Sequence, residues 1–105
     1  MNFKSCLIGA LALSAVACTW VPLEQGGTRV RVVSMNESLS HCQFKGEITS
    51  TVTNRLAGIE RNAIKVADEL ETMARNEAAG LNANVIQPTT DAIAGEQSFK
   101  AYACR

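Results

Sequence analysis

The chain has 105 residues, 47% of them hydrophobic and 19% charged, with 10 basic side chains against 10 acidic ones and a formal charge of zero. That length holds one domain, and without a basic excess the chain lacks the electrostatic footprint of nucleic-acid binding or of adhesion to an anionic membrane surface. Short chains bury a smaller share of their surface than long ones, so a core of this size is marginal without a staple.

Met1 to Lys4 carries one basic side chain, and Cys6 to Val16 is apolar or small apart from Ser14. Spanning a hydrocarbon core of about 30 Å takes about 20 such residues. The run is too short for that and has the proportions of a signal-peptide apolar region. Ala15-Val16-Ala17-Cys18 resembles the bacterial lipobox, with Ala15 where the pattern prefers Leu, Val or Ile. The resemblance implies removal of residues 1–17 as a lipoprotein signal peptide and acylation of Cys18 on its sulfur and its new amino group. Two or more acyl chains hold a protein stably where one holds it only marginally. Thr19 rather than Asp after the cysteine implies, by the enterobacterial sorting rule, delivery to the outer membrane with the domain facing the periplasm. Removing Lys4 with the leader leaves a formal charge of −1.

Residues 18–27 read as an acylated tether, flexible and extended, because they contain Pro22 and the Gly26-Gly27 pair and show no periodicity. Trp20 suits either a membrane interface or packing on the domain. A single domain is expected over residues 28–105. Thr28 to Val33 alternates polar and β-branched residues, a strand with one buried face, and Met35 to Ser40 is a loop. Phe44 to Val52 reads as a second strand with Phe44 and Ile48 on one face, and Gly46 marks a bulge or a close backbone approach. Ile59 to Leu81 carries the clearest helical period. Ile59, Ala63, Val66, Leu70, Met73, Ala74 and Leu81 fall on one side, with Val66 and Leu70 expected near the centre of the packing. The acidic side chains Asp68, Glu69, Glu71 and Glu77 lie mostly elsewhere and read as a solvated face. Asn82 turns the chain out of the helix. Val85 and Ile86 begin a third strand, Pro88 to Gly95 is a loop, and Ser98 to Cys104 is the last strand, with Phe99, Ala101 and Ala103 opposite Lys100, Tyr102 and Cys104. The order β-β-α-β-β predicts an α+β fold: a four-stranded, mostly antiparallel sheet with one long amphipathic helix packed on one face.

Of four cysteines, Cys6 leaves with the leader and Cys18 takes the lipid, so Cys42 and Cys104 remain. In an oxidising compartment a disulfide between them is the expected state. Closing a loop of that length stabilises by roughly 4 kcal/mol on the chain-entropy model. If the second and last strands are antiparallel neighbours, the two Cα atoms can reach the separation of about 4.4–6.8 Å that the bond needs. His41 beside Cys42 offers a rival, a Cys/His/Cys metal cluster, but there is no C-x-x-C and any further ligand would come from elsewhere. The chain has one histidine, no nucleophile elbow and no Gly-rich phosphate loop. No catalytic residue, bound metal or cofactor is expected, and the chain is not expected to be an enzyme.

Five segments occur in one order: Val30 to Val33, Cys42 to Ile48, Ala74 to Ala79, Asn82 to Ile86 and Ala101 to Cys104. Together they resemble the small bacterial lipoproteins grouped as domain-of-unknown-function family four-one-five-six. The most specific parts are Arg75-Asn76 with Ala78-Ala79, Ala83-Asn84-Val85, and Ala101-Tyr102 with Cys104; the family usually has Gly where Asn82 stands. A more distant resemblance, to the outer-membrane stress-sensor lipoprotein of the Rcs phosphorelay, implies a sensing or assembly role by analogy of fold alone. The expected function is thus an outer-membrane-anchored periplasmic lipoprotein acting as a non-enzymatic interaction or envelope-stress module, bound to the membrane through Cys18 and to an envelope protein partner. The alternative is a periplasmic domain that binds a small ligand or a metal through His41 and the acidic helix face.

Overall fold

The computed structural model describes residues 22–56 and 58–105. The signal peptide expected at residues 1–17, the expected lipid-attachment residue Cys18, and Trp20 lie outside the described residues.

Asn62 starts the helix against which the rest of the chain packs. Its side-chain oxygen accepts hydrogen bonds from the N–H groups of Ile64 (2.9 Å) and Lys65 (3.2 Å), satisfying donors that a first helical turn leaves open. Helix α1 then runs Ala63–Gly80, burying Val66, Leu70, Ala74 and Ala78 at steps of four. At its end the N–H of Asn82 reaches the Ala79 carbonyl (3.1 Å) and that of Ala83 the Ala78 carbonyl (3.0 Å). This double closure requires a left-handed residue, and Asn82 supplies it at φ 60°.

The helix begins later than its period predicts. Arg55–Leu56 (β3) and Ile59–Glu60 (β4) form an antiparallel hairpin instead, extended by a hydrogen bond from the Arg61 N–H to the Asn54 carbonyl (2.8 Å). Ile59 is therefore off the buried stripe and 72% exposed, and Ala63, in the first turn, is exposed too.

Arg31–Val32 (β1), Gln43–Thr51 (β2), Val85–Pro88 (β5) and Glu96–Ala103 (β6) form one sheet in the order β1-β5-β6-β2. Strand β6 is antiparallel to both neighbours, while β1 runs parallel to β5. The fold is thus α+β with a mostly antiparallel four-stranded sheet and the helix packed on it. The hairpin adds two short strands to the expected order, and β1 is shorter than its alternation predicts. Thr28 and Arg29 belong to a 3-10 turn, Gly26–Arg29, closed by the Val30 N–H on the Gly27 carbonyl (3.1 Å).

That turn corrects the picture of an extended tether for the described residues 22–27. Asn76 of α1 accepts from the Glu24 N–H (2.8 Å) and donates to the Pro22 carbonyl (3.0 Å). Gly27 is buried here because a β-carbon would overlap the Asn76 side-chain oxygen and meet Leu23 Cδ1 at 2.9 Å. The Gly26-Gly27 pair serves close approach to the helix, not flexibility.

Both faces of the sheet are covered. On the helix side Val30, Ile48, Ile86, Phe99 and Ala101 meet Ala74, Ala78 and Ala83. Ala74 and Ala78 meet the sheet there, since small residues let helix and sheet approach, while Val66 and Leu70 are buried on the same stripe of the helix. On the other side Val33, Leu39, Val85 and Cys104 form a second cluster with Cys42 and Tyr102 against it. Gln87 holds the covering loop by donating to the carbonyls of Ser34 (2.9 Å) and Glu37 (2.7 Å).

Gly46 decides which side Phe44 takes. The register shifts between Phe44 and Gly46, where Gly46 adopts φ 153°; this is the bulge that a glycine inside a strand signals. One inserted residue reverses the alternation upstream. Ile48 is accordingly 2% exposed and Phe44 53% exposed, against the expectation that they share a face.

Candidate functional site

Antiparallel pairing of β2 with β6 brings Gln43 opposite Ala103. One step beyond, Cys42 and Cys104 face each other with Cα atoms 4.5 Å apart, joined as a disulfide pair. That separation lies inside the range of about 4.4–6.8 Å for such bonds. Cys104 is buried, and the edge-on ring pair of Phe44 and Tyr102 lies beside it, with centroids 5.7 Å apart. Asn84 grips the Cys104 backbone from the position just before β5: its amide donates to the Cys104 carbonyl (2.6 Å) and its oxygen accepts from the Cys104 N–H (2.7 Å). His41 sits on the turn that the Cys42 N–H closes on the Leu39 carbonyl (2.9 Å). One of its imidazole nitrogens and the two sulfurs lie within 4.8 Å of one another, at an open cleft that Ser40, Gln43 and Arg105 also line.

A second cleft, of about 360 Å³, opens between the β3–β4 hairpin and the loop before β6. Asn54, Glu60, Arg61, Ala63, Val66 and Ile93 are among its lining residues. Arg61 is held in place by a two-pronged ion pair with Glu69 and by donating to the Thr53 carbonyl (2.7 Å). Glu69, read from sequence as part of a solvated acidic face, is thus engaged structurally. Arg75 is engaged too, donating through Nε to the Val30 carbonyl (2.8 Å). Ile93 lines the cleft, and Ile59 and Ile64 flank its other lining residues along the chain. They are 67%, 72% and 75% exposed, respectively.

The model of a family described as a domain of unknown function, DUF4156, matches residues 21–104. The chain belongs to this family. No curated protein and no solved structure matches it. The matched span takes in the Asn76 pincer, the Asn82 helix exit, the Asn84 clamp and both paired cysteines of this DUF4156 domain. Among the described residues no helix is long and apolar enough to cross a membrane.

Sequence reasoning brings Cys42 and Cys104 together through strand pairing, and the structure places them so. It does not find Asn84, Asn76 or the hairpin. The faint signal for Asn84 is a polar amide directly before a buried strand, where a short side chain can imitate a peptide group. The hairpin has Gly58 at φ 77° as its turn residue, but strands of two residues carry too little alternation to be seen.

Proposed function

We propose that this DUF4156 domain is the periplasmic part of an outer-membrane lipoprotein, acylated at Cys18, and that it works as a non-enzymatic interaction module. The leader order of charge, short apolar run, small residues and Cys18 supports the anchor. Pro22 is already docked on α1, so only four chain steps separate it from Cys18, a reach of about 14 Å at full extension. A lipid on Cys18 would hold the domain close against the bilayer.

The observation that carries the interaction role is Ile93, 67% exposed in the lining of the cleft, with Ile59 and Ile64, 72% and 75% exposed, next in the chain to its lining residues Glu60 and Ala63. Single exposed apolar residues need no explanation, but several large ones around one concavity mark a contact surface. Of the two charged residues that line it, Arg61 is committed to Glu69 and Glu60 is exposed, so the site offers apolar contact with one acidic group at its rim. The partner is an envelope protein with a complementary apolar patch. An envelope-stress role is the finer proposal. It rests on the distant resemblance to the Rcs sensor read from the sequence, and no solved structure matches the chain.

A photo-crosslinking residue placed at Ile64 or Ile93 in intact cells tests the docking end. The same discrete adduct is expected from both positions, lost on Ile59→Asp and missing from a control at exposed Glu37. Adducts independent of position, or none, would refute this surface.

A further inference from the structure

His41, Cys42 and Cys104 form the one group of three potential metal donors of this kind among the described residues, with all donor atoms within 4.8 Å. A disulfide sulfur is a poor metal ligand, because the ligand is the thiolate. The geometry points to a redox-gated metal site: once Cys42 and Cys104 are reduced, their two sulfurs and the His41 imidazole bind one thiophilic d10 cation, Zn(II) or Cu(I).

A dithiol reductant passes two electrons and two protons to the bond through a mixed disulfide, becoming a disulfide itself and leaving Cys42 and Cys104 as thiols. Binding of the cation then releases both thiol protons, and the neutral imidazole adds one nitrogen. Two sulfurs and one nitrogen suit a soft cation, and in a tetrahedral centre they leave one position for water.

Three features prepare this site without the covalent bond. The Asn84 clamp fixes Cys104 through both of its backbone groups, at 2.6 and 2.7 Å. The Cys42 N–H is held by Leu39, itself buried in the second cluster. Pairing of Gln43 with Ala103 sets the two strand ends opposite each other. Metal–sulfur bonds of about 2.3 Å place two thiolates roughly 3.8 Å apart in a tetrahedral site, a separation that side chains on Cα atoms 4.5 Å apart reach by rotation about χ1. His41 is exposed and faces the open cleft, so its ring can close the remaining gap and the cation can enter. The proposal is independent of the anchor and of the docking end.

The test uses the full chain carrying Cys6→Ser and Cys18→Ser, in detergent, so that its thiols are Cys42 and Cys104. A phosphine reductant opens the bond without itself supplying a thiolate; it leaves as the phosphine oxide, with water the source of the oxygen. Zn(II) alone and Cu(I) alone are titrated against a chromophoric competitor before and after reduction, and Co(II) reports the donor set by its absorption. The reduced chain should take up one equivalent of Zn(II) or Cu(I), with thiolate-to-cobalt charge-transfer bands, and the oxidised chain none. His41→Ala should weaken uptake by about tenfold or more, a loss that even outer-shell partners of metal sites produce. Uptake of neither cation after reduction, equal uptake before and after, or an unchanged affinity in His41→Ala would overturn the proposal. If reduction unfolds the chain, its helical circular dichroism should return with one equivalent of cation, and failure to return would count equally against it.

Discussion

Asn84 holds Cys104 by both ends of one peptide-like grip, accepting from its N–H at 2.7 Å and donating to its carbonyl at 2.6 Å. The Asn84 N–H also donates to the Tyr102 carbonyl at 2.9 Å. Its side chain therefore continues the β5–β6 ladder past the last strand pair, Val85 with Tyr102. The end of β6, where a chain would otherwise fray, is secured twice: by hydrogen bonds from Asn84, just before β5, and by the sulfur link to Cys42, just before β2.

Removing that grip should be costly. Asn84→Ala leaves the Cys104 N–H and carbonyl without partners in a partly buried setting, at about 1–3 kcal/mol for the loss. Chemical denaturation measures the cost, and amide hydrogen exchange at Cys104 should quicken even with the disulfide intact. Unchanged exchange there would mean that the disulfide alone holds the strand end.

Leu70 has no exposed surface on α1, so Leu70→Ala should cost about 2–5 kcal/mol through lost burial and the cavity left behind. Ile64→Ala, on the same helix but at a residue 75% exposed, should stay within about 0.5 kcal/mol. Equal losses from the two in urea unfolding would contradict the assigned face.

Gly27 tests whether the segment before β1 belongs to the domain. Gly27→Ala drives a methyl into the Asn76 side-chain oxygen and toward Leu23. It should cost about 1–3 kcal/mol, as overpacking does. Limited proteolysis should then cut near residues 22–27 faster than in the parent chain. A neutral effect with no new cleavage would restore the view of these residues as a free tether.

Much of the fold is legible because its signals are local. Val66, Leu70, Ala74 and Ala78 repeat at four residues, and Phe99 and Ala101 alternate with Lys100 and Tyr102. Asn82 supplies the left-handed exit from the helix. What escapes depends on contacts between distant residues. Ile59 continues the helical period by coincidence, and the Asn62 cap sets the boundary after it. Gly26 and Gly27 look like part of a flexible tether until Ala79 and Asn76, far along the chain, are seen to need their missing side chains. The sulfur pair follows from strand order once β2 and β6 are taken as neighbours. The amide clamp on Cys104 does not, because nothing near Asn84 in the chain marks its partner.

The proposed role depends first on lipid at Cys18 holding this domain at a membrane. Metabolic labelling with an alkyne palmitate analogue, comparing the parent chain with Cys18→Ser, tests it most directly. Label and membrane association should both be present in the parent and lost in Cys18→Ser, while Cys6→Ser keeps both. Label retained on Cys18→Ser, or an unlabelled parent, would contradict the claim.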